Sequence, residues 1–189
     1  MVKNFFLLAF ELLKIVTISL IIIIPIRHFL IQPFYVKGAS MEPNFHDHEY
    51  LIIDELSYQF NEPSRGEIIV FRYPRNPQDF FIKRIIGLPG EKVQILDGVV
   101  FVYNAENPNG IALEEPYLSP NTKTYGAYDS DIVTLGKDEY YVLGDNRNAS
   151  KDSRSFGSVN RSFIIGKVLL RGWPFDKVKL FTKDPVYNF

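Results

Sequence analysis

Residues 5–26 constrain this chain more than any other stretch, because Phe, Leu, Ile and Val fill them almost without a break. Glu11 and Lys14 interrupt the first half, and residues 15–26 carry no charge at all. Crossing a bilayer takes about 20 predominantly apolar residues. Lys14 and Arg27 can snorkel towards opposite interfaces while Glu11 lies one turn from Lys14, so a helix over about residues 5–29 can still span the hydrocarbon. Residues 1–31 are therefore expected to form an amino-terminal membrane anchor, with the lipid bilayer as a partner. A cleaved secretory signal and a buried core helix compete with that reading. Against cleavage, Pro33-Phe34-Tyr35-Val36-Lys37 lacks paired small residues at a cut position, and Glu11 is unusual in a signal sequence. Lys3 and Lys14 on one side balance Arg27, His28 and Lys37 on the other, so charge leaves the orientation open.

The remaining chain, residues 32–189, is long enough for one domain with its own core. Its 21 basic residues meet 22 acidic ones, which supplies no positive field for nucleic acid. Cysteine is absent, which excludes disulfides, thiolate metal sites and a cysteine nucleophile. Beyond Pro33 short apolar runs alternate with turn residues. Residues 50–53, 67–71, 80–86, 139–143 and 164–171 read as strands. Residues 92–96 and 99–103 read as a hairpin, because Asp97-Gly98 between them tolerates the positive φ of a tight primed turn. Residues 104–130, rich in Asn, Pro, Tyr and Gly, read as an irregular excursion. The expected fold is mostly β: an antiparallel sheet forming a partly closed barrel, or two small packed sheets, with one transmembrane helix and no βαβ rhythm.

Three places do not suit a purely structural role. Ser40 lies in Gly38-Ala39-Ser40-Met41-Glu42-Pro43, where small neighbours would let a substrate backbone approach, although such a serine is commonly just a turn residue. Lys83-Arg84 interrupts an apolar strand, so the two side chains point to opposite faces. The bland account makes this an edge strand with one charge solvated and the other paired. The functional account makes Lys83 a desolvated amine, neutral enough to take a proton from a serine hydroxyl. The third place is the polar loop of residues 144–154, which holds Asp145, Arg147, Ser150, Asp152 and Arg154 and reads either as a surface turn or as the support of a site. His46, Asp47 and His48 alternate on a short loop; solvation is their expected state, and no metal or other cofactor is expected.

Taken in order, Gly38-Ala39-Ser40-Met41-Glu42-Pro43, Arg65-Gly66-Glu67-Ile68-Ile69-Val70-Phe71, residues 81–91 and residues 144–154 resemble the motifs of bacterial type I signal peptidases over about residues 12–172. That resemblance implies a membrane-bound serine endopeptidase with a Ser/Lys dyad, single-pass in the bacterial cytoplasmic membrane, its catalytic domain outside the cytoplasm. Its partners would be the signal peptides of secreted preproteins and, transiently, the export machinery. It assigns Ser40 as nucleophile and Lys83 as general base. Ser150 would hydrogen-bond and orient the Lys83 amine, Asp145 would pair with Arg84, and Asp152 with Arg154. The backbone N–H of Ser40 would form part of the oxyanion hole. Some members of the family carry a serine hydroxyl two residues before the nucleophile, where this chain has Gly38.

Substrate binding by the same resemblance uses Phe34, Val36, Phe45, Phe81 and Ile82, bulky side chains whose shallow pockets would admit small residues. The chain departs from the common pattern at Asn44-Phe45 and His48-Glu49, where the family often has Thr-Leu and Gly-Asp. Other Ser/Lys peptidases of the self-cleaving repressor type or of organelle membranes are the nearest rivals. A rival of another class is a catalytically silent, membrane-tethered β module that binds extended peptides.

Overall fold

The computed structural model describes residues 2–25, 32–126 and 131–181. The end of the expected span with Arg27 and His28, the last residues of the excursion, and the stretch after 181 lie outside the described residues.

Helix α1, Val2–Pro25, is 24 residues long. Leu8, Phe10, Leu12, Leu13, Ile15 and Ile21 on it are all exposed, so no protein face covers them. Among the described residues, no helix is long and apolar enough to count as a membrane span.

The rest is antiparallel β-structure in two sheets. The strands of the larger are β1 (Gln32–Tyr35), β2 (Tyr50–Asp54), β3 (Ile68–Tyr73), β4 (Asn76–Gly87), β9 (Glu139–Leu143), β10 (Val159–Asn160), β11 (Ile164–Trp173) and β12 (Lys179–Leu180). They follow the order β1-β2-β11-β3-β4-β9-β10, with β12 added to β11. The smaller sheet runs β7-β6-β5-β8, from Ile111–Ala112, Val99–Tyr103, Lys92–Leu96 and Ile132–Thr134.

The expected hairpin is present as drawn: β5 and β6 pair in register around Asp97 (φ 52) and Gly98 (φ 87). The expected barrel is not. Among the described residues the larger sheet is an open path, and its end strands, β1 and β10, are only four and two residues long. Such short ends leave little edge for closure, so the two-sheet alternative holds. Strand β1 escaped the sequence reading because Pro33 sits inside it; an edge position tolerates the missing N–H.

Three apolar clusters hold the sheets together. Ile86, Tyr141 and Leu143 of the larger sheet pack on Val93, Ile95, Val100 and Val102 of the smaller one. Ile69, Phe71, Ile85, Tyr140, Val142 and Val159 form a second cluster. The third joins Leu51, Ile53, Val70 and Val168 to Met41 and Phe45, which come from the loop between β1 and β2. That loop carries Ser40.

Candidate active site

The loop after β1 is shaped before any chemistry is considered. Val36 donates to Glu49 O at 2.9 Å and accepts from His48 N at 3.1 Å, which pinches the loop at its base. Gly38 takes φ +90°, a conformation open to glycine, and its N–H reaches Asp47 Oδ1 at 3.0 Å. The backbone then turns in helical fashion, with Phe45 N donating to Met41 O at 2.9 Å. Met41 and Phe45, four residues apart on that turn, are 1% and 0% exposed. Their burial pins the turn to the core and leaves the half-buried Ser40 at the surface of a cleft.

Strand β4 brings the partner. Its first seven residues are exposed or half-buried and its last five are buried, so Lys83 stands where the strand enters the core. Lys83 is 3% exposed and Arg84 4%, on opposite faces. Neither charge is solvated, which removes the edge-strand account. The Lys83 amine lies 2.7 Å from Ser40 Oγ and donates to Ile82 O, also at 2.7 Å. Burial lowers the pKa of Lys83 from 10.5 to about 8, and the carboxylates of Asp152 and Asp145 offset only part of that shift.

On the other face, the Arg84 guanidinium forks onto Asp145, Nε to Oδ1 at 2.8 Å and Nη2 to Oδ2 at 2.6 Å. Asp152 accepts from Arg154 Nε at 2.8 Å and Nη2 at 2.7 Å, and from the buried Gly144 N–H at 3.0 Å. It also caps the short helix α2, Ser153–Phe156. Both expected acid–base pairs are therefore formed. The Ser40 N–H has no hydrogen-bond partner among the described residues.

Two expected contacts are absent. Ser150 Oγ is buried but makes no hydrogen bond among the described residues, so it does not bond the Lys83 amine here. It occupies the space over Gly144, where a Cβ would collide with Ser150 Oγ and with Ser40 O, while the amine has Ser40 and Ile82 for partners. Phe45 does not line the cleft either. It is packed against Phe181, ring centroids 5.0 Å apart, in the core beneath the turn.

The cleft encloses about 600 Å³, and Phe34, Val36, Phe81 and Ile82 line it together with Ser40 and Lys83. Tyr73 stacks on Phe81 at 4.5 Å and stiffens that wall. Asp47 holds the Gly38 N–H, and among the described residues no group of three or more His, Cys, Asp or Glu side chains converges as metal ligands would.

Sequence reasoning missed Asn146 and Asn44. Asn146 donates its backbone N–H to Ser40 O at 3.0 Å and its amide to Ala39 O at 3.0 Å, so the loop after β9 grips the nucleophile turn by its backbone. Only the density of polar residues around it hinted at such a role.

Comparison with known proteins identifies the family of the chain. The family model described as "Signal peptidase, peptidase S26" matches residues 9–173. A probable signal peptidase I-2 of Synechocystis is 40% identical over 92% of this chain and 78% of its own. A signal peptidase IB of Staphylococcus aureus is 34% identical over 92% and 91% respectively. The crystal structure of a signal peptidase I from Enterococcus faecalis aligns at a TM-score of 0.46 and 34% identity, over 57% of this chain and 97% of that one. With a family match from within α1 to the end of β11, and relatives aligned along nearly the whole sequence, this chain belongs to the signal peptidase family, peptidase S26, and is a serine-peptidase hydrolase.

Proposed function

We propose that the protein removes amino-terminal signal peptides from exported preproteins, with Ser40 as nucleophile and neutral Lys83 as general base. The observation that carries this reading is the 2.7 Å contact between Ser40 Oγ and a lysine amine almost wholly withdrawn from water. Lys83 takes the hydroxyl proton as Oγ attacks the scissile carbonyl. The Ser40 N–H, without a hydrogen-bond partner among the described residues, stabilises the developing oxyanion. The protonated amine then passes its proton to the leaving amine and activates water for hydrolysis of the acyl-enzyme.

An extended peptide fits between the free edge of β1 and the outer side of β4, which pairs with β9 only from Arg84 onwards. Bulky Phe34, Phe81 and Ile82 leave room beside Ser40 for small side chains, in keeping with cleavage after Ala. Ser150 turns its hydroxyl to the Lys83 amine when substrate engages Ser40, which gives its buried oxygen the partner it lacks. Asp145–Arg84 and Asp152–Arg154 keep the supporting loop in shape.

Residues 1–31 serve as the membrane anchor and residues 32–189 as the peptidase domain, on the outer side of a bacterial cytoplasmic membrane near the export machinery. The support for an anchor comes from the surface of α1. Its exposed Leu, Ile and Phe side chains call for lipid rather than water.

The test is cleavage of a preprotein by purified protein in detergent, with and without Ser40→Ala, beside labelling by an active-site acylating probe. Loss of both in a folded Ser40→Ala variant is the expected result. Labelling that persists in Ser40→Ala displaces Ser40 as nucleophile, and inertness of the unaltered chain leaves a peptide-binding module.

A further inference from the structure

Asn44 stands where three parts of the catalytic centre meet. It lies on the nucleophile turn, four residues after Ser40, and its Nδ2 donates to Asp145 Oδ2 and to the Tyr117 carbonyl, each at 2.8 Å. Its own carbonyl accepts from Arg171 Nη2 at 2.7 Å, a buried guanidinium paired with Glu49 at 3.1 Å. Tyr117 in turn lies 3.8 Å from the Arg84 guanidinium, ring to cation, and its hydroxyl donates to Glu115 at 2.6 Å. Glu115 binds Arg147 of the loop after β9. A single amide thus joins the turn bearing Ser40, the loop bearing Asp145, and the excursion, all around the strand residue next to Lys83.

We propose that Asn44 is a positioning residue for peptide cleavage: it keeps the Ser40 turn in register with Lys83 by tying that turn to the Asp145–Arg84 pair. The inference rests on the dyad reading given above. Its chemistry is specific to a primary amide. Asp145 Oδ2 and the Tyr117 carbonyl are both acceptors, and an amide NH₂ offers one proton to each. A hydroxyl offers only one, and a carboxylate would face Asp145 with none. Asn44 is not among the residues of the substrate cleft; it borders a separate cavity of about 180 Å³, where loss of the amide leaves the turn room to drift. Displacing reacting atoms by about 1 Å lowers rates by about 10²-fold.

Steady-state cleavage of a signal-peptide substrate by the full chain in detergent tests this with Asn44→Ala and Asn44→Asp. In Asn44→Ala, kcat should fall about 10- to 100-fold with KM within about threefold, because the drift affects the reacting atoms and not the groove. In Asn44→Asp the acid limb of the pH–rate profile should also move to higher pH, since a second carboxylate beside Asp145 strengthens the field that favours the protonated amine. Asn104→Ala is the control: that half-buried side chain braces its own turn and donates to Glu91 Oε1 at 3.3 Å, touching neither Ser40, Lys83 nor Asn44, so it should leave kcat unchanged even where it lowers thermal stability. An unchanged kcat in Asn44→Ala, a loss confined to KM, or an acid limb that stays put in Asn44→Asp overturns the proposal. Should either variant fail to fold, Tyr117→Gly, which frees the backbone carrying the second acceptor, must give the same kcat-selective loss or the proposal falls. Failure of the dyad reading looks different, because Ser40→Ala would then remain active whatever Asn44 does.

Discussion

Lys83 and Arg84 are neighbours on β4, both almost fully buried, yet one lies 2.7 Å from Ser40 Oγ and the other forks onto Asp145 on the opposite face of the strand. The pleat separates an amine that can lose its proton from a guanidinium that cannot.

That separation predicts unequal failures. Lys83→Arg keeps the charge but cannot act as a base, so cleavage should drop to background from neutral to alkaline pH. Arg84→Lys keeps a cation but loses the fork, and should retain measurable activity with a lowered thermal midpoint. Peptide cleavage and thermal unfolding of both purified variants check this pair.

The wild-type rate should rise with pH along an acid limb centred near pH 8, because the free amine is the active form. A kcat/KM profile between pH 6 and 10 measures it. A limb near pH 6 instead would point to a group other than Lys83.

Stability should follow the same group with a definite sign. The folded-state pKa of about 8 lies below the unfolded value of 10.5, so the unfolded chain holds more protons between them and stability rises with pH across that window. Lys83→Met removes the buried ammonium and should stabilise the fold by up to roughly 3 kcal/mol below pH 8, taking about 1.4 kcal/mol per pKa unit. The gain should fade towards pH 10.5. Denaturant unfolding at pH 6 and pH 10 compares the two.

Phe45→Ala should cost about 3–5 kcal/mol by opening a cavity under the nucleophile turn. Phe81→Ala, in the cleft wall, should instead broaden the side chains accepted near the cleavage site. A panel of peptides varied at those positions, together with unfolding curves, separates a core role from a pocket role.

How far each part could be read from residue order depends on the range of the forces involved. The β5–β6 hairpin was legible to the residue, because Asp97-Gly98 and the alternating apolar positions on either side encode it locally. The strand character of β4 and the oddity of Lys83-Arg84 within it were equally plain. Strands β1, β7, β8, β10 and β12 were not legible, since two to four residues carry no periodicity and exist only through a neighbour. Ser40 and Lys83 could be singled out only through motifs in series. Their 2.7 Å approach comes from Met41 and Phe45 sinking the turn into a core built by β2, β3 and β11. That same burial took Phe45 out of the cleft, and it could not be seen along the chain because alternation does not say which apolar face a loop residue will meet. The contacts of Asn44, noted in the sequence only as a departure from the common pattern, and of Asn146 were hidden for a related reason: an amide acquires a role only when folding brings distant acceptors within hydrogen-bond reach, Asp145 and Tyr117 for one, Ala39 for the other. Local sequence thus determined which residues could do the chemistry, and long-range packing decided which of them meet.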